Sequence, residues 1–403
     1  PREIMEIRSV TLFCEPGGDP AEFAPFLAAA RGAFPWRVQS TRVGATPFPD
    51  WLPRDRAADG AAAFATGWRA AGADYVSLGP VGLHHDPAWL ELIPDLLLSA
   101  NGIFASVQIA TPDGRIDIER CHATARLIQR VSAIHADGFG NLFLGALAGC
   151  GPGHPFLPAS YHGGGPAAFA VAVEAADVAL AAVSGAATLD EARARLVAGI
   201  EDAAAAIAPA AERLAAEFGL RFGGIDFSPA PYPTPDKSLG AALEALGARL
   251  GGPGALFAAA FLTDALDRAR FPRAGFCGLM LPVLEDATLA RRAAAGGLAL
   301  SDLLLYAAVC GVGLDTVPLP GDVDEATLAG ILLDTAALSA RLRKPLVARL
   351  MPLPGLRAGD ATAFSFEYFA PGGVMDVAGD GASRLLAGAG ALDLAGYRAW
   401  AKY

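Results

Sequence analysis

His162, Asp226, Cys310 and Asp315 are the residues of this 403-residue chain whose types and positions best suit catalysis. An imidazole with an ordinary pKa of about 6.5 takes or gives a proton at neutral pH, so His162 is the expected general acid or base. Asp226 and Asp315 lie inside apolar runs, FGGIDFS and GVGLDTV, where an unpaired carboxylate would cost several kcal/mol or have its pKa raised. Each is therefore expected to have a partner or a task, Asp226 either orienting His162 or sharing a divalent ion with it and His154. Cys310, followed by glycine, is the expected nucleophile or second proton carrier, with a small buried hydrophobe as the ordinary alternative. Ser228, Glu285 and Arg349 are expected to hold substrate. Arg349 would clamp a carboxylate with both arms of its guanidinium or, equally, pair with one of the aspartates.

These residues need elements to position them. Short β-rich runs alternate with longer helical ones: Ile7–Cys14, Trp36–Val43, Asp74–Leu78, Ile103–Ile109, Gly140–Ala146, Phe169–Val173, Arg221–Phe227, Phe276–Leu284, Val312–Val317, Leu346–Leu350 and Ala363–Phe369. Most are continuously apolar, as in strands covered on both faces. Helical stretches at Asp117–Ala136, Leu189–Phe218, Ser238–Leu250 and Glu325–Leu342 are long enough for parallel crossovers. Thr188 with Glu191, and Asp322 with Glu325, mark helix starts, and Pro209 suggests a kink or break. The expected fold is α/β with mainly parallel strands. About ten strands spread evenly, without a linker, favour a closed barrel surrounded by helices, formed as one domain over residues 1–403. In parallel α/β folds the reacting groups gather at the carboxy-terminal strand ends, which here supply Asp226 and Ser228, Glu285 and Asp286, Asp315 and Glu367.

Composition removes several function classes. Lys and Arg number 31 against 42 Asp and Glu, a net charge of −11 with no basic stripe, which argues against nucleic acid. The mean hydropathy is high at +0.37, yet no run of about 20 apolar residues is uninterrupted, so a membrane span is not expected. The five cysteines form no paired framework, and the first residues lack a secretory apolar core, which suits the reducing cytoplasm. His162-Gly163-Gly164-Gly165 resembles the oxyanion segment of esterases, but the G-x-S-x-G elbow that chemistry needs is missing. No nucleotide-binding glycine pattern occurs. No local metal motif occurs either, although His84-His85-Asp86, like His154 and His162, puts imidazole near a turn.

At the same residues the chain resembles the domain of unknown function 711 family. The resemblance rests on Pro155-Phe156 with Ser160-Tyr161-His162-Gly163, on FGGIDFSPAPYPTPDKS from Phe222 to Ser238, and on Pro282-Val-Leu-Glu285-Asp286. It continues through Ala308-Val-Cys310-Gly-Val-Gly313-Leu-Asp315, Pro318, Asp322, Arg349 and Pro352. These blocks cover roughly residues 140–375, and the first 100 residues match only loosely. The resemblance implies a barrel of about ten strands like that of pyruvate formate-lyase and the ribonucleotide reductases. It does not imply their radical: the nearest text to a glycyl-radical segment, Leu394-Ala-Gly-Tyr397, lacks the arginine. Pro166 and Cys277 depart from the family pattern, where Glu and Ser are usual, which points to a branch with its own ligand.

The expected function is thus a non-radical enzyme acting on a small polar carbonyl or carboxylate metabolite by acid–base, elimination or hydrolytic chemistry. The alternative is a non-catalytic metabolite-binding or regulatory protein. The cofactor is open, a divalent metal being one expectation. The expected assembly is a homodimer.

Overall fold

The computed structural model describes residues 5–377 and 379–396; Tyr397 of the Leu394–Tyr397 stretch, and the two ends of the 1–403 unit, lie outside them. Eleven strands form one mixed, mostly parallel sheet. They are β1 (Glu6–Phe13), β2 (Thr41–Gly44), β3 (Tyr75–Val81), β4 (Ile103–Ala110), β5 (Arg115–Asp117), β6 (Leu144–Ala148), β7 (Ala168–Glu174), β8 (Arg221–Ala230), β9 (Gly313–Pro320), β10 (Leu346–Leu353) and β11 (Ala391–Asp393). The main order is β8-β7-β1-β2-β3-β4-β6-β10-β9, with β5 and β11 attached beside β4. Strands β1, β2, β3, β4 and β6 run parallel. The pairs β7/β8 and β9/β10 are parallel within themselves but antiparallel to the central five.

The sheet is not closed by hydrogen bonds. The segment 271–285 stands between its two edge strands, and Ile225 N–H donates to Pro272 O at 2.8 Å on the β8 side. On the β9 side Val283 N–H donates to Asp315 O at 3.0 Å. The expected strand Phe276–Leu284 is therefore reduced to a single bridge, Pro282 to Asp315, because Gly275 and Cys277, both at positive φ, wrap this chain around Asp226. Ala363–Phe369 is also irregular; it forms an arch over the sheet in which Ala370 N–H donates to Leu284 O at 2.7 Å. The helix Leu189–Phe218 runs unbroken through Pro209, contrary to expectation, and starts at Thr188, whose Oγ accepts the Glu191 N–H. The helix Glu325–Leu342 is capped by Asp324 and not by Asp322. No helix among the described residues is long and apolar enough to cross a membrane.

Period-two alternation gives the two faces different jobs. Ile7, Val10, Leu12, Val43, Val76, Leu78, Val107, Ala146, Ile225, Leu314 and Leu350 pack with the helices in one large apolar cluster. Leu147, Ala230 and Val347, of opposite parity, belong to a small separate cluster with Cys150, Phe156, Ala159 and Met280. The segment 150–161 lies across this second face, where Ser9 Oγ donates to Pro155 O and Pro158 leaves no room for a side chain on Gly145. The same face carries Ser9, Ser77, Ser106, Asp226, Ser228 and Arg349, all buried. Apolar burial against the helices, worth about 1.5–3 kcal/mol per large side chain, holds the sheet, while the opposite face carries buried polar groups.

Candidate functional site: an arginine-lined cavity

Two ladder irregularities aim charge onto the polar face. In β1 the pairing with β7 shifts between Ile7 and Ser9, so Arg8 sits at a bulge and turns to the same face as Ser9. Between β9 and β10 the register shifts at Ala348/Leu350, setting Arg349 opposite Asp315 and Thr316. Thr316 takes φ of 40°, a strained backbone for a β-branched residue. Arg42 reaches the cavity from β2, where it pairs directly with Tyr75 of β3, and its guanidinium lies 5.9 Å from the Tyr75 ring.

These residues form a row of alternating charge. Asp315 Oδ1 accepts from Arg349 Nε at 2.6 Å, Arg349 Nη2 donates to Glu285 Oε1 at 3.0 Å, and Arg8 Nη2 donates to Glu285 Oε2 at 2.6 Å. Asp315 is fully buried, and the Arg349 and Glu285 side chains are 4% and 6% exposed, so the row sits away from bulk water. Burial pushes the Glu285 carboxyl up, but Arg8 and Arg349 outweigh it and hold the group below its ordinary range. Asp315 is pushed up by burial against the pull of Arg349, and its Oδ2 is buried without a hydrogen-bond partner.

Arg42 ends the row without a carboxylate. Its Nε donates to Ser40 Oγ at 2.9 Å, and no ion pair to it occurs among the described residues. Burial, with Arg8 close by, lowers its pKa to about 10, which still leaves it charged at neutral pH. Three guanidiniums thus face two carboxylates. The three guanidiniums and Glu285 line a cavity of about 210 Å³ whose other walls include Tyr75, Phe104, Phe139, Phe366 and Tyr368. Asp74 stands at the rim but is already engaged by Arg31 at 2.7 Å and by Thr41 N–H.

The structure brings three of the sequence-derived candidates, Asp315, Glu285 and Arg349, into this row, although only Glu285 and Arg349 line the cavity. Arg349 pairs with an aspartate, the alternative weighed against a substrate clamp. Asp226 and Ser228 form a second, closed arrangement. Asp226 accepts from Ser228 Oγ at 2.6 Å and from the N–H groups of Ser228, Phe276 and Cys277 at 3.0–3.2 Å. Burial pushes its pKa up, opposed by these donors. His154 packs on Phe276 with ring centroids 4.5 Å apart, and burial depresses its pKa to about 4. His162 is buried on its own glycine turn, Nε2 meeting Gly165 O at 3.1 Å. Cys310 lies where Gly278 and Gly311 touch; a Cβ on Gly278 would stand 2.8 Å from Gly311 Cα. Burial raises the Cys310 thiol pKa, the opposite of what activates a nucleophile.

The ligand atoms of His154, His162 and Asp226 do not gather within 4.8 Å; among the described residues that spacing is met by Asp50, His84 and His85. There His85 Nδ1 accepts Gly82 N–H at 2.8 Å, so the neutral ring carries its proton on Nε2, directed at Asp50 Oδ1 3.0 Å away. That is a His–Asp hydrogen bond, and a cation at Nε2 would have to displace its proton.

Arg8 and Arg42 are absent from the sequence-derived set: Arg8 follows Ile7 inside a mostly apolar strand, but Arg42 stands among Gln39, Ser40 and Thr41, where a charge gives no signal. Neither lies at a carboxy-terminal strand end. The cavity is lined from the amino-terminal starts of β1–β4 and by Arg349 of β10, which runs the other way.

Residues 22–366 match the family described as Uncharacterised ACR (DUF711). The chain is 35% identical over 285 residues to a UPF0210 protein of Pyrobaculum arsenaticum, covering 68% of this chain and 62% of that protein. It is 32% identical over 298 residues to a UPF0210 protein of Desulforudis audaxviator, 69% and 64% of the two chains. With one of Methanosarcina acetivorans the identity is 31% over 294 residues, covering 68% and 62% of the two chains. The aligned part is thus less than two thirds of these relatives' length. The match from residue 22 takes in the amino-terminal region that carries Arg42, and the chain belongs to the DUF711 (UPF0210) family.

Proposed function

We propose that the arginine-lined cavity takes a small carboxylate-bearing metabolite and that the chain acts on it by acid–base or elimination chemistry, without a stored radical. One observation carries this: the Arg42 guanidinium, facing the cavity with Ser40 Oγ and the Tyr75 ring as its partners among the described residues. A half-buried guanidinium with no carboxylate in hydrogen-bond contact has donors to spare, and a ligand carboxylate supplies the acceptors it lacks. Two cavity groups can move protons. Tyr368, its pKa raised by burial and by Glu367, stays protonated at neutral pH and can donate to a substrate oxygen. Glu285, held ionised, can accept.

A second reading, recognition without turnover, is favoured by the same Glu285: a carboxylate gripped by Arg8 and Arg349 is a weak base. The wider architecture belongs to the proposal as well. We infer that the sheet curls into a barrel of about ten strands, with segment 271–285 filling the gap. The bridges Ile225↔Arg273 and Pro282↔Asp315 support this reading.

The test is calorimetric titration with small carboxylates beside their amides, with nuclear magnetic resonance of the same samples for products. Carboxylate binding with product formation is the expected result, and binding without products selects the second reading. Amides that bind as well as acids would overturn the anion site.

A further inference from the structure

We propose that the cavity selects an aromatic monocarboxylate, its ring among Phe104, Phe139, Phe366 and Tyr368 and its carboxylate against Arg8 and Arg42. This rests on the anion reading above and narrows it to one ligand class. Charge sets the first limit. Three guanidiniums against two carboxylates leave one positive charge over, so a monoanion neutralises the site and a dianion overshoots it. Size sets the second. A cavity of about 150 Å³ holds benzene, and the roughly 210 Å³ available here accommodates a ring with a short acidic substituent.

Wall chemistry sets the third limit. Phe139 and Phe366 meet edge to face with centroids 5.1 Å apart, as Tyr75 and Phe104 do at 5.8 Å. Such a wall presents both ring faces and ring edges, and an entering ring finds offset or edge-on partners that an alkyl chain of the same area does not. Two walls come from different parts of the chain. Phe104 belongs to β4, whereas Phe366 and Tyr368 belong to the arch that crosses the sheet between Leu353 and Met375. Phe366 is therefore a specificity residue on an irregular segment, separable from the arginines that hold the anion.

The experiment titrates the whole chain with benzoate, phenylacetate, hexanoate, phthalate and benzamide, then repeats the series with Phe366→Ala. Benzoate or phenylacetate is expected to bind about ten-fold more tightly than hexanoate, phthalate and benzamide more weakly than either. Phe366→Ala should abolish the preference over hexanoate while leaving hexanoate bound, which also reports that the variant is folded. Hexanoate equal to the aromatic acids in the wild-type chain overturns this inference and leaves the carboxylate site standing. The preference surviving Phe366→Ala overturns the assigned ring site. Binding of none of the acids overturns the anion reading itself.

Discussion

The polar face of the sheet holds two buried carboxylate arrangements that differ in whether their hydrogen-bond accounts close. Around Asp226 they close: four protein donors meet its two oxygens, three of them from backbone N–H groups and one from Ser228 Oγ. Gly275, at φ 66°, lies so close that any side chain there would collide with the carboxylate. This region is a fastener, holding the 271–285 segment to β8. Around Glu285 the account stays open, because Arg8 and Arg349 are paired and Arg42 is not. A buried acid in an apolar run thus signals a constraint without saying which kind. The difference lies in what remains unpaired beside it.

Substitutions separate the two regions, and the largest effect is expected at the fastener. Asp226→Ala leaves four donors without an acceptor and should cost at least about 3 kcal/mol in unfolding free energy, read by urea denaturation. Carboxylate affinity of the folded fraction should hold; a stable Asp226→Ala protein would contradict the structural role.

Glu285→Gln should cost about 2 kcal/mol or more, since Arg8 and Arg349 lose their shared counter-charge. Unlike Asp226→Ala, it should tighten anion binding, because the cavity becomes more positive, and the gain should shrink with added salt. Weaker anion binding in this variant would break the comparison.

A smaller effect separates the regions by pH. The folded His154 pKa of about 4 lies below its ordinary 6.5, so the stability that its burial provides is complete above 6.5 and is lost as pH falls toward 4. Glu285 has the same sign but a lower window: its depressed folded pKa keeps its contribution intact above 4.5 and loses it below. Unfolding free energies measured across this range should show His154→Phe flattening the upper part of the acid slope only. An unchanged slope between about pH 6.5 and 4.5 would remove His154 as its source.

Much of the fold was legible because its strands are apolar and its crossovers long. Leu189–Phe218 and Glu325–Leu342 were placed to the residue, and nine strand runs overlap observed strands. The failures have physical causes. Phe276–Leu284 reads as a strand by composition, but the turn around Asp226 takes its backbone out of the ladder. Ala363–Phe369 is rich in aromatic residues because they pack with Phe139 across the arch, not because they pair in a sheet. At the site, Asp315 is legible as a charge in an apolar run, Glu285 as an acid at a strand end, and Arg349 as an arginine on a strand. His162 and Cys310 were selected for intrinsic reactivity, which depends on neighbours that sequence does not reveal; a glycine turn holds one, and burial raises the pKa of the other.

Arg42→Gln tests the open charge account most directly, through paired measurement of its unfolding free energy and its affinity for a small carboxylate. Removing a half-buried cation that makes no ion pair among the described residues should leave stability within about 0.5 kcal/mol of wild type or raise it. The same change should weaken carboxylate binding at least about ten-fold. A variant that loses stability while binding carboxylate as well as wild type would contradict the account.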